Sequence, residues 1–247
     1  MTDWNAVLGC DPAEYCSRVY ASRPAWITGY IGFEDAQFLF ARVLTSGADP
    51  LLEIGTASGL STAILCHAAH AVRLAGEVGD AFTIESYDID ERFYADRSRR
   101  VGDAAREMLE PALLEHVTFR SPATAADVSA HHGPETLAFA FIDAAHTHPW
   151  PTLDLLTLLP TLSPGAEVVL HDINLPIARP ETQHWGAKHL FDGLDVERKL
   201  GRGDPPNIGS IRVPQDKSAF REQLLAILHG YEWETEIDED VIQLAVS

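Results

Sequence analysis

Residues 51–61, LLEIGTASGLS, constrain the fold more strongly than any other stretch of the chain. A short apolar run ends in an acid, and two glycines four positions apart, Gly55 and Gly59, follow it. Apolar residues then recur at helical spacing, beginning with Leu60 and Ile64. The pattern predicts a strand, a tight loop and a helix. Ligands bind outside the carboxyl ends of strands in open α/β sheets, and glycines let the backbone approach them closely. The loop is therefore a candidate cofactor site, with an ordinary βα turn as the alternative.

Strand and helix patterns alternate along the chain, which predicts a mostly parallel sheet with helices on both faces. Strands are predicted at residues 51–54, 81–90, 116–120, 137–142, 166–174, 196–200 and 208–213. Helices are predicted at residues 11–22, 34–44, 91–109, 151–162 and 218–229, besides the one that begins at Leu60. The last two strands are interpreted as a hairpin that closes the sheet. The predicted fold class is a Rossmann-like, doubly wound α/β fold with a seven-stranded sheet and an antiparallel final strand.

Length and hydrophobic content predict a single domain. The chain has 247 residues, of which 46% are hydrophobic, and this is enough to bury one substantial core. We expect an N-terminal helical cap at 1–48 and a core at 49–214, in which the proline-containing segment 175–207 is the candidate acceptor region. Residues 215–247 supply a C-terminal helix and an acidic tail. The end of that tail, 241–246, is interpreted as an added strand or a homodimer contact.

Charge and cysteine usage exclude several classes of protein. Asp plus Glu total 37 against 18 Lys plus Arg, and the formal charge of −19 repels nucleic-acid backbones and anionic membrane surfaces. Cys10, Cys16 and Cys66 lie in no metal-ligand or disulfide spacing, which fits a reducing cytoplasm. The amino terminus lacks the pattern of a signal peptide, and no apolar stretch reaches the roughly 18 residues of a membrane span. We therefore expect a soluble, cytoplasmic protein.

Acids and histidines follow three further strands at the same predicted edge of the sheet. Asp88 follows the second strand, where a Rossmann-type sheet places the carboxylate that binds ribose hydroxyls. Asp143 and His146 follow the fourth strand, and Asp172 and Asn174 end the fifth. An imidazole suits general-base chemistry, and carboxylate or amide oxygens suit Mg²⁺. The sequence therefore predicts a catalytic site here, with strand caps, turns and solvated loops as the alternative interpretation.

The glycine loop resembles the cofactor loop of class I S-adenosylmethionine-dependent methyltransferases, in which a glutamate at the strand end precedes G-x-x-x-G. Within that class, EIGTASGLS is similar to the loop of small-molecule O-methyltransferases of the catechol and caffeoyl-CoA type. The stretch 34–39, an acid followed by x-x-Gln-Phe-Leu, is similar to the helix before that loop. The resemblance implies S-adenosylmethionine as cofactor and a small-molecule acceptor, with Asp88 on the adenosine ribose. The cofactor-binding residues implied are Glu53, Gly55, Thr56, Ser58, Gly59, Ser61, Asp88 and Asp143.

The acids and the histidine resemble the divalent-metal-dependent members of the same group, including sugar O-methyltransferases. The resemblance implies that Asp143 and Asp172 bind an ion such as Mg²⁺. It also implies that His146, three residues after the first acid, is the general base for the acceptor hydroxyl. The residue after Asp172 departs from the family pattern, because Ile173 stands where an asparagine binds the ion. The residues left to replace that ligand are Asn174 and His171.

Two other functions remain open on the sequence. A nicotinamide-dependent oxidoreductase requires a three-glycine fingerprint, and Ala57 stands where its second glycine belongs. Such an enzyme also offers no explanation for Asp143 and His146. A protein that keeps the fold and the cofactor without transferring a methyl group is the other alternative, and Ile173 is the feature that favours it.

Overall fold

Strand β1 (Leu51–Ile54) is buried along its whole length. The computed structural model that contains it describes residues 2–76, 82–182 and 184–246. Because β1 has no solvated face, its residues do not alternate between apolar and polar, as is typical of a parallel strand covered on both sides. The chain forms two compact units, Met1–Pro122 and Ala123–Ser247.

The first unit is built on three parallel strands. β1 pairs with β2 (Ile84–Tyr87), which pairs in turn with β3 (Val117–Arg120). The helices of this unit are α1 (Trp4–Leu8), α2 (Pro12–Ala21), α3 (Phe33–Ser46), α4 (Leu60–Leu74), α5 (Asp103–Met108) and α6 (Pro111–Leu114). Helix α4 buries most of its residues, so the helix that begins directly after the glycine loop is also a core element of this unit.

The second unit adds four strands. β4 (Leu137–Ile142) pairs in parallel with β5 (Leu162–His171), and β5 pairs antiparallel with β7 (Ile208–Arg212). β6 (Arg198–Leu200) pairs antiparallel with β7. The helices are α7 (Trp150–Leu158), α8 (Leu175–Ala178), α9 (Gly186–Gly193), α10 (Lys217–Gly230) and α11 (Glu239–Val246), with 3-10 turns at Ala125–Ala130 and Pro180–Thr182. The β6–β7 pair confirms the predicted hairpin.

The strand order in the sheet is β3-β2-β1-β4-β5-β7-β6. Since β7 is the antiparallel strand, the predicted Rossmann-like, seven-stranded and mostly parallel sheet is confirmed. β2 is shorter than predicted and ends before Asp88. Residue 81, the predicted start of that strand, lies outside the described residues. The predicted boundaries at 48/49 and 214/215 stay a prediction. Across the described ranges, no helix has both the length and the apolar composition that a bilayer span requires.

The helix predicted over 91–109 is wrong for most of its length. Turns occupy the chain up to Gly102, and only α5 is helical. The Asp96 carboxylate accepts hydrogen bonds from the Ser98 backbone at 3.0 Å and the Ser98 hydroxyl at 2.6 Å. Asp103 accepts another from the Arg100 backbone at 2.8 Å. Such bonds give the backbone polar groups partners outside a helix. This explains why the helix predicted from the spacing does not form here.

The predicted boundary between α7 and β5 is also wrong. β5 begins at Leu162, so Pro164 and Gly165 lie inside the strand rather than before it. The β4–β5 ladder shifts its register between Leu137 and Phe139. The proline is tolerated because it occupies this irregular stretch, where a missing backbone N–H removes no regular ladder bond.

The segments 175–207 and 241–246 contain helices that the sequence interpretation missed. In α9, the buried residues Ala187, Leu190 and Phe191 have helical spacing within a segment that had been interpreted as loop. The end of the tail belongs to α11, so the added-strand interpretation is wrong. The Asp238 carboxylate accepts the Asp240 N–H at 3.0 Å, a turn-forming bond that favours a helix start there.

Candidate active site

The glycine loop reverses direction sharply between β1 and α4. Gly55 has φ +98°, Ala57 +44° and Gly59 +92°. Side chains are strained at such angles, and the loop therefore favours glycine at two of the three positions. A Cβ at Gly59 would also lie 2.8 Å from the Cα of Gly102. Gly59 is thus required both by its own backbone angle and by the close approach of the chain before α5.

Backbone hydrogen bonds hold this loop in place. The Gly55 N–H donates to the Tyr87 carbonyl at 2.8 Å, which ties the loop to the end of β2. The carbonyls of Ala57 and Ser58 accept bonds from Gly102 at 3.0 Å and Ala104 at 2.8 Å. The loop is therefore clamped from two sides by elements of its own unit, before any ligand binds.

The polar side chains of the loop point into the protein. Glu53 is fully buried and accepts hydrogen bonds at 2.5 Å from the hydroxyls of Thr62 and Ser86. Thr56 shares a 2.6 Å hydrogen bond with Ser86 and is also buried. The geometry gives Glu53 a supporting role under the loop. Ser58 and Ser61, also predicted to bind the cofactor, are buried too.

Asp88 connects the end of β2 to the glycine loop. Its Oδ2 accepts the Ala57 N–H at 2.8 Å, and its Oδ1 accepts the Asp90 N–H at 2.9 Å. Burial raises the pKa of Asp88, although these backbone bonds oppose the rise. Each carboxylate oxygen has a second lone-pair direction, so the half-buried carboxylate keeps acceptor capacity for ribose hydroxyls.

In the second unit, three predicted residues lie together after β4 and β5. The Nε2 atom of His146 is 3.3 Å from Asp143 Oδ1 and 3.1 Å from Asp172 Oδ2. Asp172 has φ +58° and follows directly after β5. Asp can adopt this left-handed angle more readily than most residues, and the turn directs its carboxylate toward His146.

The ionisation of this cluster is strongly perturbed. Burial alone would raise the pKa of Asp143, but the neighbouring His171 and His146 hold it well below its usual range. Burial alone would lower the pKa of His146, but the carboxylates of Asp143 and Asp172 outweigh it and raise the pKa. Perturbed groups that perturb one another in this way are typical of functional sites.

Two residues not proposed as members of this cluster complete it. His171 was named only as a substitute ligand, and its Nδ1 lies 3.1 Å from Asp143 Oδ1. Asn207, which the sequence interpretation missed altogether, donates from Nδ2 to Asp172 Oδ1 at 2.6 Å. The one sequence signal for Asn207 is that it directly precedes the predicted final strand. The antiparallel register that pairs Ile208 with His171 is seen only in the structure. The β5–β7 ladder, which the hairpin prediction did not include, is what places Asn207 beside Asp172.

Asn174 does not join the cluster. Its Oδ1 accepts a hydrogen bond from Lys188 Nζ at 3.0 Å, and its Nδ2 donates to the Pro206 carbonyl at 2.7 Å. The Lys188 ammonium group thus occupies Asn174 Oδ1, which is the atom that would have to bind a metal ion. Ile173 is buried in the core, with only 1% of its surface exposed.

The donor set fits a divalent cation. Asp143, His146 and Asp172 each offer one ligand atom, and these atoms lie within 4.8 Å of one another. Two carboxylates suit hard cations such as Mg²⁺, and the imidazole is a further donor for softer divalent metals. Two carboxylates this close also repel each other unless a positive group lies between them. A cation or a protonated His146 can supply that charge.

The strand order, with its antiparallel β7, is the fold of class I methyltransferases. Residues 52–173 match the family described as "Methyltransferase domain". The chain therefore contains a methyltransferase domain, and the class predicted from the glycine loop is confirmed. The match also decides against the nicotinamide-dependent alternative.

Solved structures show the same fold at low sequence identity. The O-methyltransferase from Bacillus cereus in complex with SAH is 17% identical with a TM-score of 0.53, over 84% of this chain and 94% of that one. The O-methyltransferase TomG from Streptomyces achromogenes, involved in tomaymycin synthesis and in complex with SAM, is 17% identical with a TM-score of 0.54, over 87% and 100%. The SAH-bound Podospora anserina methyltransferase PaMTH1 is 13% identical with a TM-score of 0.55, over 83% and 88%. No curated protein matches the chain by sequence.

Proposed function

We propose that this chain transfers a methyl group from S-adenosylmethionine to a hydroxyl group of a small molecule. The observation that carries the proposal is the contact of His146 Nε2 with both Asp143 and Asp172, at 3.3 and 3.1 Å. An acceptor hydroxyl must lose its proton as it attacks the methyl group, and an imidazole beside two carboxylates is a suitable base. The methyltransferase domain and the SAM or SAH bound to structures of the same fold support the cofactor.

The loop after β1 and the acid after β2 are proposed to bind the cofactor. Gly55 and Gly59 allow the close backbone approach, and Asp88 binds the ribose hydroxyls. The position of Asp88 supports this assignment, because its carboxylate lies beside the loop and accepts the Ala57 N–H at 2.8 Å. A change at Asp88 is therefore expected to alter both the hydroxyl contacts and the shape of the loop.

His146 is proposed to act as the base, and Asp143 and Asp172 to hold a divalent cation. When bound, such an ion would supply charge that favours the ionised form of the acceptor hydroxyl. The two carboxylates also keep His146 in place and stabilise the imidazolium that forms when it takes the proton. Asn207 orients Asp172, since it donates to the oxygen that does not contact His146.

Incubation with labelled S-adenosylmethionine and a panel of phenols and sugars tests the proposal. Transfer of label to at least one hydroxyl is the expected result. A protein that binds the cofactor by calorimetry but labels none of the acceptors would support the second candidate, a cofactor-binding protein without transfer. That candidate is favoured by buried Ile173 and by the bond of Lys188 to the Asn174 amide oxygen.

The proposal also covers the partners of the protein and its cellular compartment. The small-molecule acceptor is its partner, and nucleic acid and membranes are not, because a formal charge of −19 repels both. Cys10, Cys16 and Cys66 are free thiols, and burial raises the pKa of Cys16 and Cys66 to about 12. Unpaired thiols are compatible with the reducing conditions of a cytoplasm.

A further inference from the structure

An open cavity of about 660 Å³ in the second unit lies beside the carboxylate–histidine cluster. Thr147, the residue after His146, is part of its wall, and so is His184, whose ring lies 5.8 Å from the ring of His146. Cavities of roughly 300 to 1,000 Å³ are typical of small-ligand sites. The cavity is therefore of suitable size and position to hold the part of an acceptor that does not react.

Stacked rings form one wall of this cavity. The rings of Trp185 and His189 are 5.6 Å apart and 21° from parallel, and those of His189 and Tyr231 are 3.7 Å apart and 11° from parallel. Such a stack leaves ring edges and the outer faces of its end rings for a ligand, and a planar aromatic ring packs against these with edge or offset contacts. The wall therefore suits the aromatic ring of an acceptor.

The charge of the cavity is negative. Glu232 and Glu234 line it, and its described lining residues include neither a lysine nor an arginine. Burial lowers the pKa of His189 and so favours its neutral ring, although Glu234 opposes this. The cavity therefore combines two carboxylates with aromatic faces, and both attract a positively charged group.

The two acids differ in how they are held. The Glu234 carboxylate accepts the Trp185 N–H at 3.1 Å and the N–H of His148, and the Glu234 N–H donates to the His148 carbonyl at 2.9 Å. Glu234 therefore fixes the walls. Glu232 is exposed at the cavity, so its charge is accessible to a ligand.

We infer that this cavity selects a cationic aromatic acceptor for the methyl transfer proposed above, with its ring on the stacked wall and its ammonium group near Glu232. The inference rests on the proposed function and adds the acceptor's chemical class. Anionic acceptors, including thioesters of coenzyme A and phosphorylated sugars, are disfavoured because they bring negative charge to two carboxylates.

Three phenols of similar size that differ in charge test the inference: tyramine, tyrosol and 4-hydroxyphenylacetate. Their binding is measured by calorimetry in the presence of SAH, and their methylation is measured in parallel. Tyramine is expected to bind roughly tenfold more tightly than 4-hydroxyphenylacetate, with tyrosol between them. Equal affinities, tighter binding of the anion, or no binding of tyramine would overturn the inference.

The variant Glu232→Gln removes one charge at nearly constant shape. It should weaken tyramine binding by roughly 2- to 5-fold and leave tyrosol binding unchanged. Glu232→Asp should retain the preference for tyramine. Glu222→Gln on the exposed side of α10 is the matched control and should change neither affinity. An equal effect of Glu222→Gln, or an equal loss for tyrosol in Glu232→Gln, would contradict a local role for this charge.

The same measurements separate this inference from the proposed function. Methylation of tyrosol without a preference for tyramine contradicts the inference alone. Tighter tyramine binding without methylation of any of the three phenols supports the charge preference and counts against the proposed transfer.

Discussion

In the first unit, backbone geometry holds the glycine loop, whereas in the second unit the cluster around His146 depends on side chains from three separate segments. The loop has positive φ angles at Gly55 and Gly59 and main-chain bonds to β2 and to the start of α5. The cluster has charged groups 3.1 to 3.3 Å apart whose protonation states depend on one another. The contrast indicates that main-chain bonds hold most of the conformation of the loop. The geometry and charge of the cluster instead depend on pH, on cations and on single side chains.

The largest expected effect concerns His146. If it takes the acceptor proton, His146→Ala lowers kcat by roughly 10²- to 10⁴-fold and leaves the affinity for S-adenosylmethionine nearly unchanged. Steady-state kinetics with a methylated acceptor and calorimetry with SAH measure the two quantities. His131→Ala, at an exposed position in the same unit, is the control. A raised KM with kcat preserved would show that His146 contacts the acceptor without acting as base.

The pH dependence of kcat sharpens the same comparison. Because the carboxylates of Asp143 and Asp172 outweigh burial and raise the pKa of His146, the cation-free protein should lose activity as pH falls through a midpoint above about 6.5. A bound cation repels the imidazolium and should move the midpoint to lower pH. Rate profiles over about pH 5 to 9, with and without Mg²⁺, measure both midpoints. A profile that is the same in His146→Ala would contradict the assignment.

The next effect concerns Asn207, which was absent from the sequence interpretation. Asn207→Ala removes the 2.6 Å bond to Asp172 and should lower divalent-cation affinity or kcat by roughly 10- to 100-fold, the usual cost of losing an orienting partner of a metal ligand. Titration with Mn²⁺ and kinetics after treatment with a chelator provide the readouts. Arg202→Ala, an exposed residue of the same loop, should have no effect. Full activity of the wild-type protein in excess chelator would argue against a cation here.

A substitution at Asp88 tests whether the glycine loop and the acid after β2 bind the cofactor. Asp88→Ala removes the acceptor for the Ala57 N–H and for the ribose hydroxyls, and should weaken cofactor binding by about 1 to 3 kcal/mol. The neighbouring Asp90→Ala removes an exposed carboxylate that contacts Arg97 at 3.1 Å, and it should have little effect. Calorimetry with SAH compares the two variants. Equal affinities would rule out Asp88 as the ribose ligand.

The smallest expected effect is on stability. Gly59→Ala places a Cβ 2.8 Å from the Gly102 backbone at φ +92°, while Gly165→Ala has a similar φ of +85° and open space. Gly59→Ala should therefore lower the free energy of unfolding by at least about 1 kcal/mol more than Gly165→Ala. Denaturant unfolding of both variants measures the difference. Similar losses would mean that backbone strain alone, without the contact to Gly102, determines the requirement for glycine.

The same contrast explains what could be predicted from the sequence. The mostly parallel sheet and the glycine loop were predictable because apolar runs and glycine spacing are local signals. The helix over 91–109 was not, since Asp96 and Asp103 form turns that helical periodicity does not register. Within the site, Asp143, His146 and Asp172 were found from their positions after strands. Asn207 and the diversion of Asn174 to Lys188 depend on tertiary contacts, which single positions in a sequence do not reveal.

The antiparallel pairing of β7 has a consequence for how this chain can vary in length. Ile208 is paired with His171, so the ladder rather than the preceding loop fixes where Asn207 lies. Residues can be inserted or removed between Leu200 and Pro206, where the chain is largely exposed, and Asn207 should still lie beside Asp172. A single insertion within β7 would instead move each following side chain to the opposite face of the sheet. Length variation should therefore be tolerated in the hairpin loop and excluded from the strand that follows it.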